Sequence, residues 1–130
     1  MSDAEKWYLE ALRIFRLVLG EGHERVADAC FALGGVYSRQ GRLEEGVRMH
    51  KLALRVFRRA SEGDSAKVAN ALSGLGTALY QQGLQDRAMR KMEEAYEMFR
   101  RLHGDDHEHV ARLLNSMSLV LQAQGRVAES

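Results

Sequence analysis

Residues 26–41 read VADACFALGGVYSRQG, and the chain writes this segment three times. At a step of 42 residues it returns as VANALSGLGTALYQQG (68–83) and then as VARLLNSMSLVLQAQG (110–125). Val-Ala opens each copy, and Gln40-Gly41, Gln82-Gly83 and Gln124-Gly125 close it. Outside the segment, the same step links Ala11, Ala53 and Ala95, and Phe15-Arg16, Phe57-Arg58 and Phe99-Arg100. Leu33, Leu75 and Met117 form another series, as do Leu12, Leu54 and Tyr96. Independent series at one period establish an internal repeat.

Each copy reads as two helices. In the first, called A, Val26, Cys30, Leu33 and Tyr37 recur at steps of four, three and four, the apolar stripe of an amphipathic helix. Helix A is expected to start near His23, with Asp64 or Ser65 as N-cap of the second copy, and to stop at Gln40, where Gly41 accepts the left-handed turn. In the second, called B, Leu43, Val47, Leu54 and Phe57 mark the stripe, which closes near Ser61. No run alternates with period two, so no strand is expected. Residues 3–19 match B, and A and B then alternate over 24–40, 43–61, 66–82, 85–102 and 108–124. Residues 126–130 align with the opening of a further B helix. The expected fold is therefore all-α, six helices in the order B-A-B-A-B-A. One repeat domain over 1–130 divides into a half repeat (1–20), full repeats (21–62 and 63–104) and a terminal helix A with its stub (105–130).

The chain has 130 residues, 45% hydrophobic and 28% charged, which is the composition of a folded chain. Nineteen Lys and Arg against 18 Asp and Glu leave a net charge of +1, so no nucleic-acid partner is expected. Apolar stretches are broken by charge too often to cross or anchor in a membrane, or to act as a secretory signal. The lone cysteine, Cys30, allows no internal disulfide, and a cytoplasmic location is expected.

A 42-residue step suggests HEAT or armadillo arrays sooner than the common tetratricopeptide unit of about 34 residues. The residues point to the latter. Cys30-x-x-Leu33-Gly34-x-x-Tyr37 resembles the tetratricopeptide pattern W-x-x-L-G-x-x-Y, and Leu72-x-x-Leu75-Gly76-x-x-Leu79 and Leu114-x-x-Met117-Ser118-x-x-Leu121 are weaker copies. Ala88, Met92 and Ala95, like Ala4, Tyr8 and Ala11, occupy the alanine–aromatic–alanine places of helix B. With the longer step and the Leu19-Gly20-x-x-His23 and His103-Gly104-x-x-His107 segments, the chain looks like the kinesin-light-chain type of tetratricopeptide repeat. The resemblance implies a right-handed superhelical solenoid of antiparallel helix pairs. It departs from the family where Glu24, Ala66 and Glu108 replace a proline. Gly46 loosens helix B, by about 1 kcal/mol relative to alanine. Of the asparagines with which the family grips a peptide backbone only Asn115 is present, against Phe31 and Ser73.

Candidates for chemistry reduce to structural roles. Gly34-Gly35 and Gly74-x-Gly76 lie within helices with no preceding strand or Lys-Ser/Thr, so they do not form a phosphate loop; Gly34 and Gly76 are expected to let helix B approach helix A. The segment His103-Gly-Asp105-Asp106-His107-Glu108-His109 is rich in metal-capable groups, yet it is first a repeat connector, and no metal or other cofactor is expected. His23-Glu24 and His107-Glu108 lack the second histidine of a zinc protease, since Ala27 and Ala111 stand there. His50 reads as a packed side chain with no nucleophile arranged beside it, and Cys30, Met89, Met92 and Met98 read as core. No catalytic constellation is present, and the chain reads as a non-enzyme. Arg16, Arg58 and Arg100, with Arg59 and Arg101, recur as a ladder. Glu62, Asp64, Asp105 and Asp106 lie near it, and it reads as a solvated face.

The resemblance places a binding surface on the helix A face opposite the core stripe, lining the concave side of the superhelix. Here that face carries Asp28, Phe31, Gly35, Ser38 and Arg39, then Asn70, Ser73, Thr77, Tyr80 and Gln81, then Arg112, Asn115, Leu119 and Gln122. Its amides and aromatic edges suit an extended peptide, so a protein or peptide partner is expected. The lysine/asparagine clamp with which some tetratricopeptide domains hold a chaperone C-terminus has no match here, and that activity is not expected. The first and last helices each lack a partner, which suggests self-association: residues 5–19 of a second molecule continue the register after Ser130. Such stacking would be head-to-tail and open-ended unless the superhelix closes. The alternative is a longer array whose further repeats cover both faces.

Overall fold

The computed structural model describes residues 2–104 and 108–129. Among them the elements are α1 (Asp3–Leu19), α2 (Glu24–Arg39), α3 (Leu43–Ala60), α4 (Ala66–Gln81), α5 (Gln85–His103) and α6 (Glu108–Glu129), with no strand. The alternating order read from the repeat is the order observed: α1, α3 and α5 are B helices, and α2, α4 and α6 are A helices. The chain forms two compact units, Met1–Gly63 with α1–α3 and Asp64–Ser130 with α4–α6.

Helix starts follow local chemistry. Ser2 Oγ accepts from the Glu5 amide (3.1 Å), Ser65 Oγ from the Lys67 amide (3.2 Å), and the His23 ring Nδ1 from the Arg25 amide (3.0 Å). Each satisfies a first-turn N–H that has no partner inside the helix. Helices α2 and α4 end alike. Gly41 and Gly83 take φ of +78° and +83°, and the Arg42 and Leu84 amides reach back to the carbonyls of Tyr37 (2.9 Å) and Leu79 (3.0 Å). The Gly41 and Gly83 amides bond to Ser38 and Tyr80, which completes a Schellman closure in both copies.

The third copy departs from expectation. Gly125 is helical, and α6 runs on to Glu129 instead of stopping at 124. Glycine permits the left-handed turn without imposing it. In the first two copies a full amphipathic helix follows the turn and packs back. In the third copy helical hydrogen bonding continues through Gly125.

In the first unit, α3 crosses α2 where both helices have lost their side chains. A Cβ on Gly34 would lie 2.8 Å from the His50 ring, and one on Gly46 would lie 2.7 Å from Ser38 Oγ and 3.2 Å from the Gly34 carbonyl oxygen. Gly46, read from the sequence as a weak point in helix B, is thus also a contact that lets the helices approach. Val26, Cys30, Leu33, Ala53 and Phe57 fill the interface. Helix α1 packs on α2 through buried Leu12 and is tied by a polar knot. Gln40 Nε2 donates to Ser2 Oγ (3.3 Å) and Glu5 Oε1 (3.2 Å), and Arg42 Nη1 donates to Glu5 Oε2 (3.0 Å). Burial pushes the Glu5 carboxyl up, but hydrogen bonds from Arg42 and Gln40 outweigh it and hold the group below the usual carboxylate range. The Arg42 guanidinium also lies over the Tyr37 ring at 4.4 Å.

The second unit repeats the plan with other residues. Ala88, Met92, Ala95 and Phe99 of α5 pack on Ala69, Leu72, Leu75, Gly76 and Leu79 of α4. A Cβ on Gly76 would lie 2.9 Å from Met92 Cγ and 3.2 Å from the Ala88 carbonyl oxygen. Asp64 does not cap α4. It takes both Arg101 hydrogen bonds (2.6 and 3.0 Å), which hold its carboxyl below the usual value. Gln124 Nε2 donates to Asp86 Oδ1 (2.8 Å) at the start of α5, as Gln40 does to Ser2 at the start of α1. Gln40 and Gln124 therefore each pin the end of an A helix to the first turn of the B helix before it.

Candidate functional site

On α2 and α4 two adjoining stripes are buried and one row is left over. In α2 the buried residues are Val26, Ala27, Ala29, Cys30, Leu33, Gly34, Val36 and Tyr37; in α4 they are Val68, Ala69, Ala71, Leu72, Leu75, Gly76, Ala78 and Leu79. The helical period then leaves the rows at 28, 31, 35 and 38/39 and at 70, 73, 77 and 80/81 as the less buried ones.

Within the α2 row, Asp28 and Arg39 are exposed and Phe31 is half-buried. The Phe31 ring stands edge-on to His50, with centroids 5.4 Å apart and planes at 75°. The Arg39 guanidinium folds toward Gly35, where a Cβ would lie 3.6 Å from Nη1. The Ser38 hydroxyl points away from the row, into the Gly46 contact. It is buried there without a hydrogen-bond partner among the described residues. Its place in the row had suggested a ligand contact, and only the missing side chain at position 46 explains why it turns inward.

Within the α4 row, Asn70, Ser73 and Tyr80 are half-buried, and Thr77 and Gln81 are exposed. The Thr77 hydroxyl donates to the Ser73 carbonyl (3.1 Å), so its proton is used inside the helix while its oxygen can still accept. On α6, Arg112 is paired with Glu108, and Asn115, Leu119 and Gln122 are exposed. The α2 row belongs to one unit, and the α4 and α6 rows to the other.

Groups that might suggest catalysis have structural surroundings. His50 is buried against Gly34 with Nδ1 unpartnered among the described residues, and burial pushes its pKa down to about 4, leaving it neutral at neutral pH. Burial pushes the Cys30 thiol up, away from the reactive thiolate. In the histidine-rich connector, the His109 ring stacks on Phe99 (4.8 Å, 10°), and His103 lies 6.2 Å from the same ring. Asp105, Asp106 and His107, the remaining metal-capable candidates there, lie outside the described residues. Among the described residues no three metal-capable side chains are grouped, and no helix is long and apolar enough to cross a membrane.

The tetratricopeptide repeat family profile matches residues 29–101, more than half of the chain. The chain belongs to the tetratricopeptide repeat family. Repeats of this family generally serve as protein-interaction and scaffold modules. The crystal structure of BtubC (BKLC) from P. vanneervenii is similar, with a TM-score of 0.84 at 24% sequence identity; the match covers 93% of this chain and 48% of that one. This chain thus spans about half the length of BtubC, and at that identity the likeness bears on the tetratricopeptide-like helical-repeat fold alone. No curated protein matches the sequence.

Proposed function

We propose that this tetratricopeptide module is non-catalytic, works in the cytoplasm, and captures a protein or an extended peptide on the concave face lined by its A helices. The observation that carries the reading is the row left uncovered between buried stripes on α2 and α4. Packing does not dictate most of the residues in these rows. Phe31, Arg39, Asn70, Tyr80 and Asn115 offer an aromatic edge, a guanidinium, amides and a phenol, a set that matches a peptide backbone and its side chains. The test is selection of binding peptides from a displayed library, followed by titration of each against the chain and a triple Arg39→Ala, Tyr80→Ala, Asn115→Ala variant. The selected peptides should lose binding to the variant while its helicity stays intact. Undiminished binding would refute the assignment of this face.

A second reading is favoured by a separate observation. Tyr8 of α1 is 39% exposed, whereas its counterparts His50 and Met92 are 4% and 2% exposed. On α6, Leu114 and Leu121 are 46% and 54% exposed, whereas Leu72 and Leu79 are buried. The α1 and α6 faces are the two halves of the contact that α5 and α4 make, so we propose that a second copy or further repeats cover them. Sedimentation of the 130-residue chain over a wide concentration range tests stacking of copies; a compact monomer at high concentration would dismiss it.

A further inference from the structure

The outer face of α3 carries Arg48, Lys51, Arg55 and Arg59, all exposed and three or four residues apart, on one side of the helix. From position 46 to the end of α3 there is no acidic residue. Lys51 and Arg55 have no carboxylate at three or four positions to either side, and among the described residues neither has an ion-pair partner. Between them lie half-buried Met49 and Leu52, which with Arg48, Lys51 and Arg55 line a shallow groove.

The repeat supplies an internal control. In α5, the positions 42 residues on hold Arg90, Glu93, Glu94 and Glu97 in place of Arg48, Lys51, Leu52 and Arg55, and they line the corresponding groove. The same helix type, buried at the corresponding positions Gly46/Ala88, His50/Met92, Ala53/Ala95 and Phe57/Phe99, thus accepts glutamate at both of the unpaired cation positions. The fold does not require positive charge there. Four cations on one face of a chain whose net charge is +1 are a local excess, and holding them together costs mutual repulsion unless a counter-charge arrives.

We propose that the outer face of α3 is a docking stripe for an acidic polypeptide segment, separate from the A-helix face. Arg48 to Arg59 spans about 17 Å along the helix axis at about 1.5 Å per residue. Carboxylates on alternate residues of an extended peptide are about 7 Å apart, within reach of long cationic side chains set about 5–6 Å apart along the helix. Met49 and Leu52 add an apolar floor for the aliphatic parts of such a segment. A nucleic acid fits less well. The stripe has no aromatic ring on which a base could stack.

The experiment uses a fluorescent peptide of about eight residues alternating glutamate and serine, titrated by anisotropy at about 50 mM salt, where surface charge is weakly screened. K51E/R55E, which installs the residues α5 carries, should weaken binding by about tenfold or more while circular dichroism is unchanged. E93K/E97R should create a second site on α5 and raise the stoichiometry; this arm decides the matter even if K51E/R55E fails to fold. Binding that is absent, or unmoved by both variants, overturns the proposal. So does a single-stranded oligonucleotide of equal charge that binds the stripe more tightly than the peptide and displaces it.

Discussion

Replacing His50 with methionine should remove most of the acid sensitivity of the first unit between about pH 6.5 and pH 5. Methionine is the residue that the next repeat places against its own contact glycine, so His50→Met fits a site already built once in the chain. The wild-type ring is buried against Gly34 with one nitrogen unpartnered, and it binds a proton only near pH 4, whereas in the unfolded chain it does so near 6.5. Above pH 6.5 neither state is protonated and stability is full. As the pH falls, the unfolded chain takes the proton first, and stability drops until the folded chain is protonated too. At about 1.4 kcal/mol per pH unit the whole window is worth about 3 kcal/mol, and about 2 kcal/mol of that is lost by pH 5. The carboxylates that arginines hold below their usual range (Glu5, Glu10, Glu45 and Asp64) lose their contributions only as the pH falls below about 4.5, so they do not enter the upper window, and the comparison with His50→Met separates His50 from every other group. Urea melts of both proteins, followed by circular dichroism at several pH values, measure the difference. Parallel pH profiles for wild type and His50→Met would refute the reasoning.

Gly34→Ala places a methyl group against a rigid ring and should cost about 1–3 kcal/mol despite the gain in helix propensity; in the His50→Met background the more flexible neighbour should reduce that cost, as a double-mutant cycle in urea will measure. Gly41→Ala should cost about 1 kcal/mol for its left-handed backbone alone, since nothing crowds its Cβ, whereas Gly125→Ala should stabilise α6 by a similar amount. Thermal melts that moved the same way for both would contradict the helical assignment of Gly125. Arg42→Leu, which installs the residue found at position 84, should lower the urea midpoint by leaving the buried Glu5 carboxylate without its cation. Adding Glu5→Val, the residue type at position 47, should restore it.

The 42-residue step, the helix order, the helix A starts and the first two helix ends were legible in the chain, because capping, glycine turns and apolar spacing are local properties. The approach of helix B to helix A could likewise be read from Gly34 and Gly76. The pairing across that approach could not. Gly46 looked like a flaw until its place over the Gly34 carbonyl was seen, and Ser38 looked like a ligand contact until its hydroxyl was found beneath Gly46. Glu5 carried no mark of burial, because the arginine that neutralises it lies 37 residues away.

The sequence by itself determined the repeat, its helices and the rows that no core stripe claims, because helical period and turn chemistry act over a few residues. Only tertiary structure decided which residues of those rows face outward, which charges are paired, and that Gly125 stays helical. Those outcomes depend on what lies opposite, and an opposite surface is built from distant positions in the chain. Gly41 and Gly125 make the point: each follows a glutamine, yet one turns under a returning helix while the other stays within α6.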